Sequence, residues 1–157
     1  MSGEIPVVTF CLGAEIFAVP VTLVREILDW RETFRVPGGP AWLLGLTDLR
    51  GQGVTTIDFR LRLGLSPVEP TPHTRILVVD VAVADRTLTL GLVVDRVLEV
   101  CSFEAAALEP APDIGIDWPS DYIAGVIRRS EGFVVLVEMA KIFSAAEGAV
   151  LAAPLAA

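Results

Sequence analysis

The stretch that decides the fold lies between residues 45 and 58 and reads Gly45-Leu46-Thr47-Asp48-Leu49-Arg50-Gly51-Gln52-Gly53-Val54-Thr55-Thr56-Ile57-Asp58. Two apolar-rich segments flank a turn that contains two glycines. Because Gly51 and Gly53 take positive φ at little cost, the stretch predicts a tight hairpin with Arg50 at its tip. A stiff hairpin would hold this guanidinium out toward a carboxylate on another molecule. Taken from this stretch alone, a solvated turn charge is the simpler explanation of the same residue.

The composition predicts one folded domain or two very small subdomains. The chain has 157 residues, of which 53% are hydrophobic, so it can bury a large core. Its longest apolar runs, such as residues 133–137, are far shorter than the roughly 20 residues that cross a bilayer. No basic region followed by an apolar stretch marks a secretory signal at the N-terminus. We therefore expect a cytoplasmic protein with no direct membrane insertion.

The net charge of −8 argues against nucleic acid as a partner, because phosphate binding needs a basic stripe. Motifs of nucleotide-binding or hydrolytic enzymes are also absent from the sequence. The single histidine, His73, lies between Pro72 and Thr74 in a proline-rich link, so any catalytic triad would depend on it alone. Aspartates expected at strand ends could form acid–base pairs, but such positions also collect turn caps: Asp58, Asp80, Asp85 and Asp95. The sequence predicts no enzyme and no catalytic residue.

The two cysteines, Cys11 and Cys101, are far apart and form no C-x-x-C motif. They are expected to be small buried hydrophobic residues, with a disulfide as the alternative. One histidine and two separated cysteines cannot build an ordinary zinc site unless carboxylates complete it. We therefore expect no metal and no cofactor.

Alternating and continuous apolar segments predict four β-hairpins. The paired segments are 7–12 with 15–19, 42–49 with 54–58, 75–83 with 87–94, and 122–128 with 133–137. Helical spacing of apolar residues predicts a short helix over residues 21–29, and residues 59–65 suit one helical turn. Alanine content and spacing predict a C-terminal helix over residues 138–153, which Pro154 ends, leaving residues 154–157 as a tail.

Four hairpins at short spacing predict an all-β, barrel-like architecture. The prolines in residues 67–72 suggest two barrels in series, each too small to be stable alone and therefore packed together. Residues 5–66 would form mostly the first barrel and residues 73–137 mostly the second.

Apolar residues that a small barrel cannot fully hide stand near Arg50. Val24 and Ile27 lie beside Trp30, and three more apolar residues begin at Trp42. Packing in the core explains each of them, but any part that stays exposed would mark a partner site. Glu26 and Arg50 would then supply charges of opposite sign at its rim, where charges set orientation more than affinity.

With these segments in place, the chain resembles the CheW family of chemotaxis adaptor proteins. The family's segments have the forms V-x-E-I, N-L-R-G followed by D-L-R and glycine, G-[IL]-V-V-D-x-V, and Y-[IL]-x-G. They correspond, in this order, to residues Val24–Ile27, Asp48–Gly51 with Asp58–Arg60 and Gly64, Gly91–Val97, and Tyr122–Gly125. The resemblance extends from about residue 7 to residue 143. One departure is Asp48, which stands where the family has asparagine, and a second is Thr56, which stands where the family has proline in the second hairpin strand.

The resemblance implies a single CheW-like domain over residues 5–145, built from two packed five-stranded SH3-like barrels with a hydrophobic cleft between them. It also implies a function without catalysis. Such an adaptor joins the cytoplasmic tips of methyl-accepting chemotaxis receptors to the histidine kinase CheA, through the kinase's CheW-like regulatory domain. A helical receptor tip would lie along the apolar groove, with Arg50 facing a receptor carboxylate.

The resemblance also implies two sets of binding residues. The receptor-binding set comprises Val24, Glu26, Ile27, Asp48 and Arg50. The kinase-binding set on the second barrel comprises Val94, Asp95 and Val97. Asp48 adds a negative charge two residues before Arg50. Either an ion pair between them would weaken receptor contact, or the extra charge would match a receptor with different charges.

Other functions remain open at this stage. The same adaptor could serve a non-flagellar chemosensory pathway, such as one controlling pili or development. A double barrel that binds a small ligand would show convergent polar groups in the cleft between its barrels, whereas an adaptor would show a continuous apolar groove. An enzyme that uses His73 would lose activity when this residue is replaced.

Overall fold

The computed structural model describes residues 3–35, 37–83, 85–110, 122–129, 132–144, 147 and 151, and strands dominate them. The strands are β1 (Glu4–Leu12), β2 (Glu15–Pro20), β3 (Val24–Asp29), β4 (Leu43–Leu49), β5 (Gln52–Asp58), β6 (Arg75–Val83), β7 (Arg86–Val94), β8 (Arg96–Glu104), β9 (Leu108–Glu109), β10 (Ile123–Arg129) and β11 (Gly132–Val137). Helix α1 spans Phe59–Arg62, and short 3-10 turns span Val21–Leu23, Ala105–Ala107 and Met139–Lys141. The prediction of an all-β fold is confirmed.

The four predicted hairpins are present, and local turn chemistry explains their positions. The first turns at Gly13, whose φ is 64°, which suits a two-residue loop with glycine first. In the β4–β5 hairpin, both central residues have positive φ: 53° at Arg50 and 83° at Gly51. This is a type I′ turn, whose twist matches that of the strands. Gly53 lies within β5 and is not needed for the reversal.

The strands form two sheets that share one plan. The six-stranded sheet has the order β8-β1-β2-β11-β10-β9, and the five-stranded sheet has the order β3-β6-β7-β5-β4. Each sheet joins two antiparallel hairpins through one parallel pair, β2 with β11 and β5 with β7. Each also carries an added strand, β8 beside β1 and β3 beside β6. The prediction of two packed SH3-like barrels is confirmed, with the two-residue β9 as an additional strand.

The two barrels exchange strands, so the chain does not divide at the proline link. β3 follows the β1–β2 hairpin in sequence but pairs with β6, whereas β8 follows the β6–β7 hairpin but pairs with β1. The sequence placed residues 5–66 mostly in one barrel and 73–137 mostly in the other. The sheets instead place β1 and β2 with β8–β11, and β3–β5 with β6 and β7. The physical reason is long-range pairing, which no local signal records.

One large apolar core lies between the sheets and joins them. It contains side chains of the six-stranded sheet, such as Phe10 and Phe17, and of the five-stranded sheet, such as Leu77 and Leu92. A smaller cluster fills each barrel, around Phe103 in one and in the other around residues 49, 54, 76 and 78. Strands such as β6 are therefore covered on both faces, which explains the uninterrupted apolar run in residues 76–79.

The predicted helix over residues 21–29 is wrong beyond its first three residues. Pro20 precedes a single 3-10 turn, and residues 24–29 then form β3. Apolar residues at 21, 24, 27 and 28 fit a helical period, but edge pairing with β6 satisfies the backbone and gives alternating exposure along β3. A bulge at Arg25 shifts the register between Val24 and Glu26, which disguises the period of two.

The predicted C-terminal helix begins later than expected. Residues 139–141 form a 3-10 turn, Ser144 is not helical, and Glu147 and Leu151 are helical. The Ser144 backbone N–H donates to Glu147 Oε1 at 2.9 Å, and the Glu147 N–H donates to Ser144 Oγ at 3.1 Å. This reciprocal pair is a capping box, a contact typical of a helix N-terminus. The rest of the predicted helix and the tail lie outside the described residues.

Candidate protein-interaction site

The Arg50 hairpin and the edge strand β3 meet through a forked ion pair. Arg50 Nη1 donates to Glu26 Oε2 at 3.0 Å, and Arg50 Nη2 donates to Glu26 Oε1 at 2.9 Å. The Arg50 side chain remains 75% exposed, whereas Glu26 is largely covered. The sequence predicted both residues at one rim. It did not predict that they bind each other, because they are separated by 24 positions.

Asp48 serves the turn and does not pair with Arg50. Its Oδ1 accepts the Gly51 backbone N–H at 2.9 Å, and its backbone carbonyl accepts Arg31 Nη1 at 3.1 Å. The hypothesis that Asp48 neutralises Arg50 is therefore wrong. The carboxylate closes the hairpin locally, which is a common use of aspartate before a turn.

Apolar side chains flank this ion pair. Val24 and Ile27 pair with Val79 and Leu77, whose side chains belong to the shared core, so both stand on the β3 face directed toward the other barrel. Ile27 is 41% exposed, and Trp30 and Phe34 further along the chain are also exposed. Exposed apolar groups beside an oriented charge are the usual elements of a protein-binding surface.

The residues assigned to kinase binding lie at the crossover between the barrels, where the chain passes from β7 to β8. Val94 is 1% exposed and packs in the shared core, so its side chain offers no surface in this conformation. Val97 is partly buried against the same core. A direct contact of Val94 with a partner would require local opening, and Val97 stands nearer to the surface.

Asp95 is the centre of a polar clamp that joins the barrels. Its Oδ2 accepts the Gly13 N–H from the β1–β2 turn at 2.7 Å and Arg60 Nη2 from α1 at 2.7 Å. Its Oδ1 accepts Arg60 Nε at 2.8 Å. Burial raises the pKa of Asp95, but hydrogen bonds from Arg60 and Gly13 and the Arg60 charge outweigh it and hold the pKa below its usual range. We infer that Asp95 holds the crossover in place.

We expect Asp95→Asn to lower the free energy of unfolding at pH 7 by about 2–3 kcal/mol, because the mostly buried Arg60 loses its counter-charge. A lowered folded-state pKa stabilises the native state above the unfolded value, about 3.9, and this contribution disappears as pH falls through the folded-state pKa. Urea unfolding at several pH values should therefore show the gap between wild type and variant closing below about pH 4.

The matched control for this test is Asp85→Asn, because Asp85 is almost fully exposed and its ion pair is with its sequence neighbour Arg86. This variant should unfold like the wild type at every pH. If the stability difference between wild type and Asp95→Asn did not depend on pH, the carboxylate charge would not be the source of that difference. This outcome would contradict the clamp.

Strand β8 repeats the plan of β3 on the other barrel. Each is added to the first strand of a hairpin, and each carries a Val-x-Glu-aliphatic segment: Val24–Ile27 in β3 and Val97–Val100 in β8. Glu99 Oε1 lies 3.8 Å from Arg129 Nη2, near the end of the β10–β11 hairpin. In the same way, Glu26 binds Arg50 at the β4–β5 hairpin. Leu98 is exposed and Val100 is 63% exposed. The repeated segment is a sequence signal that motif reading missed.

An open cleft of about 470 Å³ lies on the five-stranded barrel rather than between the barrels. Trp30, Glu32, Arg35, Asp58 and Val68 are among its lining residues. The small-ligand hypothesis placed its ligand in the cleft between the barrels. This cavity has a size that suits small molecules, but all its lining residues belong to one barrel and the segments beside it.

The residues considered for chemistry have structural partners. His73 is exposed, and its backbone N–H donates to Thr71 Oγ1. Asp58 Oδ1 caps α1 by accepting the Leu61 N–H, and Asp80, which lies within β6 and not at a strand end, pairs with Arg25. In the part of the chain that the structure describes, no cluster of His, Cys, Asp or Glu could hold a metal ion.

Both cysteines are free and partly buried, so the disulfide alternative is wrong. Burial raises the pKa of each thiol, which disfavours the thiolate that binds metals or attacks electrophiles. No helix among the described residues has the length and apolar character needed to cross a membrane.

Comparison with known proteins now identifies the class. The sequence matches the CheW-like domain family over residues 6–147. It is 32% identical to the chemotaxis protein CheW of Rhizobium meliloti, covering 93% of this chain and 92% of that protein. It is also 31% identical to the probable chemotaxis protein CheW of Rhizobium etli, with 92% and 91% covered.

The fold also matches a solved structure, that of the scaffolding protein TtCheW from Thermoanaerobacter tengcongensis. The TM-score is 0.78, the identity is 22%, and 89% of this chain and 92% of that chain are covered. The described fold is thus that of a CheW-type double barrel. The chain belongs to the CheW-like domain family, and this membership supports a scaffold or adaptor of the chemotaxis class.

Proposed function

We propose that this protein is a non-catalytic, cytoplasmic adaptor that couples the tips of methyl-accepting chemotaxis receptors to the histidine kinase CheA. The observation that carries the proposal is the pair of related edges, β3 and β8, on different barrels. On β3 the exposed Ile27, and on β8 the exposed Leu98 and Val100, lie beside a glutamate and an arginine. Two separate surfaces allow one molecule to contact two partners at once, which is what an adaptor requires.

The receptor surface of this proposal is the β3 edge with the Arg50 hairpin. Val24 and Ile27 would contact the apolar side of a helical receptor tip, as in helix-in-groove recognition. Glu26 accepts one N–H from each of Arg50 Nη1 and Nη2. The remaining N–H groups, including that of Nε, are available to a receptor carboxylate. Glu26 would thus orient Arg50 for recognition, and Asp48 would fix the turn that carries it.

The kinase surface of this proposal lies on β8, with Val97 at its buried border and Leu98 and Val100 at its centre. Leu98 and Val100 are exposed apolar side chains on an edge strand. They are a suitable contact for the CheW-like barrel of the kinase regulatory domain. Val94 and Asp95 would act indirectly, by fixing where β8 begins. Val94 does so by packing in the core, and Asp95 does so through the clamp.

The test is a binding assay with the kinase regulatory domain and a receptor cytoplasmic fragment, first separately and then together. We expect Val100→Asp to weaken kinase binding at least about tenfold, since it places a charge at an apolar contact, and to leave receptor binding unchanged. Val97→Asp should act in the same direction, with a lower melting temperature because Val97 packs on the core.

The matched control is Val68→Asp, because Val68 is a similarly exposed valine on the proline-rich link. It should bind both partners like the wild type. Equal kinase affinity for Val68→Asp and Val100→Asp would contradict the β8 surface. Failure of the wild type to bind either partner would contradict the adaptor function itself.

A further inference from the structure

Arg129 stands at the end of β10, where the β10–β11 hairpin meets β8. Its guanidinium carbon lies 4.9 Å from the ring centroid of Phe103, a residue of β8. Arg129 Nη2 also lies 3.7 Å from Cys101 Sγ and 3.8 Å from Glu99 Oε1. These three contacts are all to one strand, so the ring and the carboxylate hold the guanidinium beside the β8 edge.

The position of Arg129 in its barrel corresponds to that of Arg50 in the other. Each arginine lies at a hairpin beside an added edge strand, next to the glutamate of the Val-x-Glu-aliphatic segment. The two edge strands also share a bulge at the residue before this glutamate, which is Arg25 in β3 and Leu98 in β8. Bulges commonly redirect side chains, so the same local geometry places a guanidinium at the edge of both barrels.

The two guanidinium groups differ in how tightly the neighbouring glutamate holds them. Arg50 donates hydrogen bonds of 3.0 and 2.9 Å to Glu26. The 3.8 Å contact between Arg129 and Glu99 is longer than a hydrogen bond, and the Arg129 side chain is 39% exposed. A carboxylate from another molecule can therefore approach Arg129 at hydrogen-bond distance and form a stronger, charge-assisted contact.

Arg129 and the exposed Val100 lie on opposite faces of β8. Val100 is paired with Val8, whose side chain packs in the shared core, whereas Phe103 packs in the smaller cluster of the same barrel. Val100 and Phe103 are three positions apart in the strand, which places them on different faces. A partner that covers the β8 edge would therefore contact Val100 from one side and Arg129 from the other.

We propose that Arg129 is a specificity-determining residue of the β8 surface, where it binds a carboxylate on an apolar face of the kinase regulatory domain. This inference rests on the proposed function, because it names the group on the kinase that the β8 surface recognises. The aliphatic side chains of β8 supply most of the affinity, and the guanidinium selects partners that carry an acid opposite it. A partner with a cation at that position is rejected by like-charge repulsion.

Titration of the kinase regulatory domain into variants of the intact protein, at low and at high salt, tests this inference. Arg129→Ala should weaken kinase binding about tenfold at low salt and leave receptor binding unchanged. Arg129→Lys keeps the charge but loses the planar fork, so it should show a smaller loss. Added salt should weaken the wild-type complex more steeply than the Arg129→Ala complex, since the contact is between charges.

The matched control is Arg128→Ala, because Arg128 is the neighbouring arginine of β10 but pairs with Glu109 of β9 and stacks on Phe133. It should bind the kinase like the wild type. Equal weakening by Arg128→Ala and Arg129→Ala would overturn the inference, since loss of any positive charge would then explain the effect. Unchanged binding by Arg129→Ala, with weak binding by Val100→Asp, would also overturn it and leave the proposed function standing. A wild type that does not bind the kinase would contradict the proposed function, and this inference with it.

Discussion

Gly45→Ala should destabilise the protein by about 3–5 kcal/mol, a large share of the stability of a domain of this size. Gly45 has a φ of 140°, and a Cβ at this position would lie 1.9 Å from the Phe34 carbonyl oxygen. That carbonyl accepts the Leu46 N–H at 2.9 Å, and the Phe34 N–H donates to the Leu46 carbonyl at 2.7 Å. The substitution must move the backbone, so it strains φ and breaks both hydrogen bonds.

Gly53→Ala is the matched control in the paired strand. Its φ is not in the left-handed region, and the atoms nearest to an added Cβ belong to the Leu46 side chain, the first of them at 3.5 Å. The free energy of unfolding should therefore change by less than about 1 kcal/mol. Urea denaturation of both variants gives the comparison. Equal losses would show that glycine content in the hairpin, and not the close backbone pairing of Phe34 with Leu46, limits stability.

Local turn chemistry made the hairpins predictable. Glycine at position 13 and the Arg50–Gly51 pair specify tight reversals, and the apolar segments on either side supply the strands. The order of those strands in the sheets was not predictable, because pairing of β3 with β6 and of β8 with β1 joins segments far apart in the chain. The close approach of the Phe34 backbone to Gly45 was also not predictable, because the sequence shows only one more glycine at this position.

Two errors about helices have different causes. Over residues 24–29, a bulge at an edge strand spaced the apolar residues like those of a helix, so the periodicity itself was misleading. At the C-terminus the signal was present: Ser144 and Glu147 have the S-x-x-E spacing of a capping box. The alanine-rich composition favoured an earlier start and hid it.

The candidate site was predictable in part. What could not be predicted were, again, contacts between residues far apart in the sequence. Glu26 and Arg50 were expected at one rim, and the structure places them in contact. Asp95 was assigned to a partner because motif reading cannot distinguish an exposed carboxylate from one held by Arg60 and Gly13. The exposed aliphatic pair on β8 carries no motif except its likeness to residues 24–27, which becomes visible only once both strands occupy equivalent edges.

Arg50→Glu should weaken binding of a receptor cytoplasmic fragment at least about tenfold and leave the fold intact. The variant replaces the ion pair between Glu26 and Arg50 with two carboxylates that repel each other. It also presents a negative charge to a receptor carboxylate. The stability cost should stay below about 1 kcal/mol, because Arg50 is mostly exposed and solvent screens its interactions. Titration of the receptor fragment, with the melting temperature measured alongside, checks both expectations.

The double variant Glu26→Arg with Arg50→Glu separates recognition from stability. It restores an ion pair between β3 and the hairpin, so the melting temperature should return toward that of the wild type. Receptor binding should stay weak, because the exposed charge at the hairpin tip remains negative. Recovery of binding along with stability would mean that the pair only holds β3 to the hairpin. Kinase binding should be unchanged in both variants, since the proposed kinase surface lies on β8 of the other barrel.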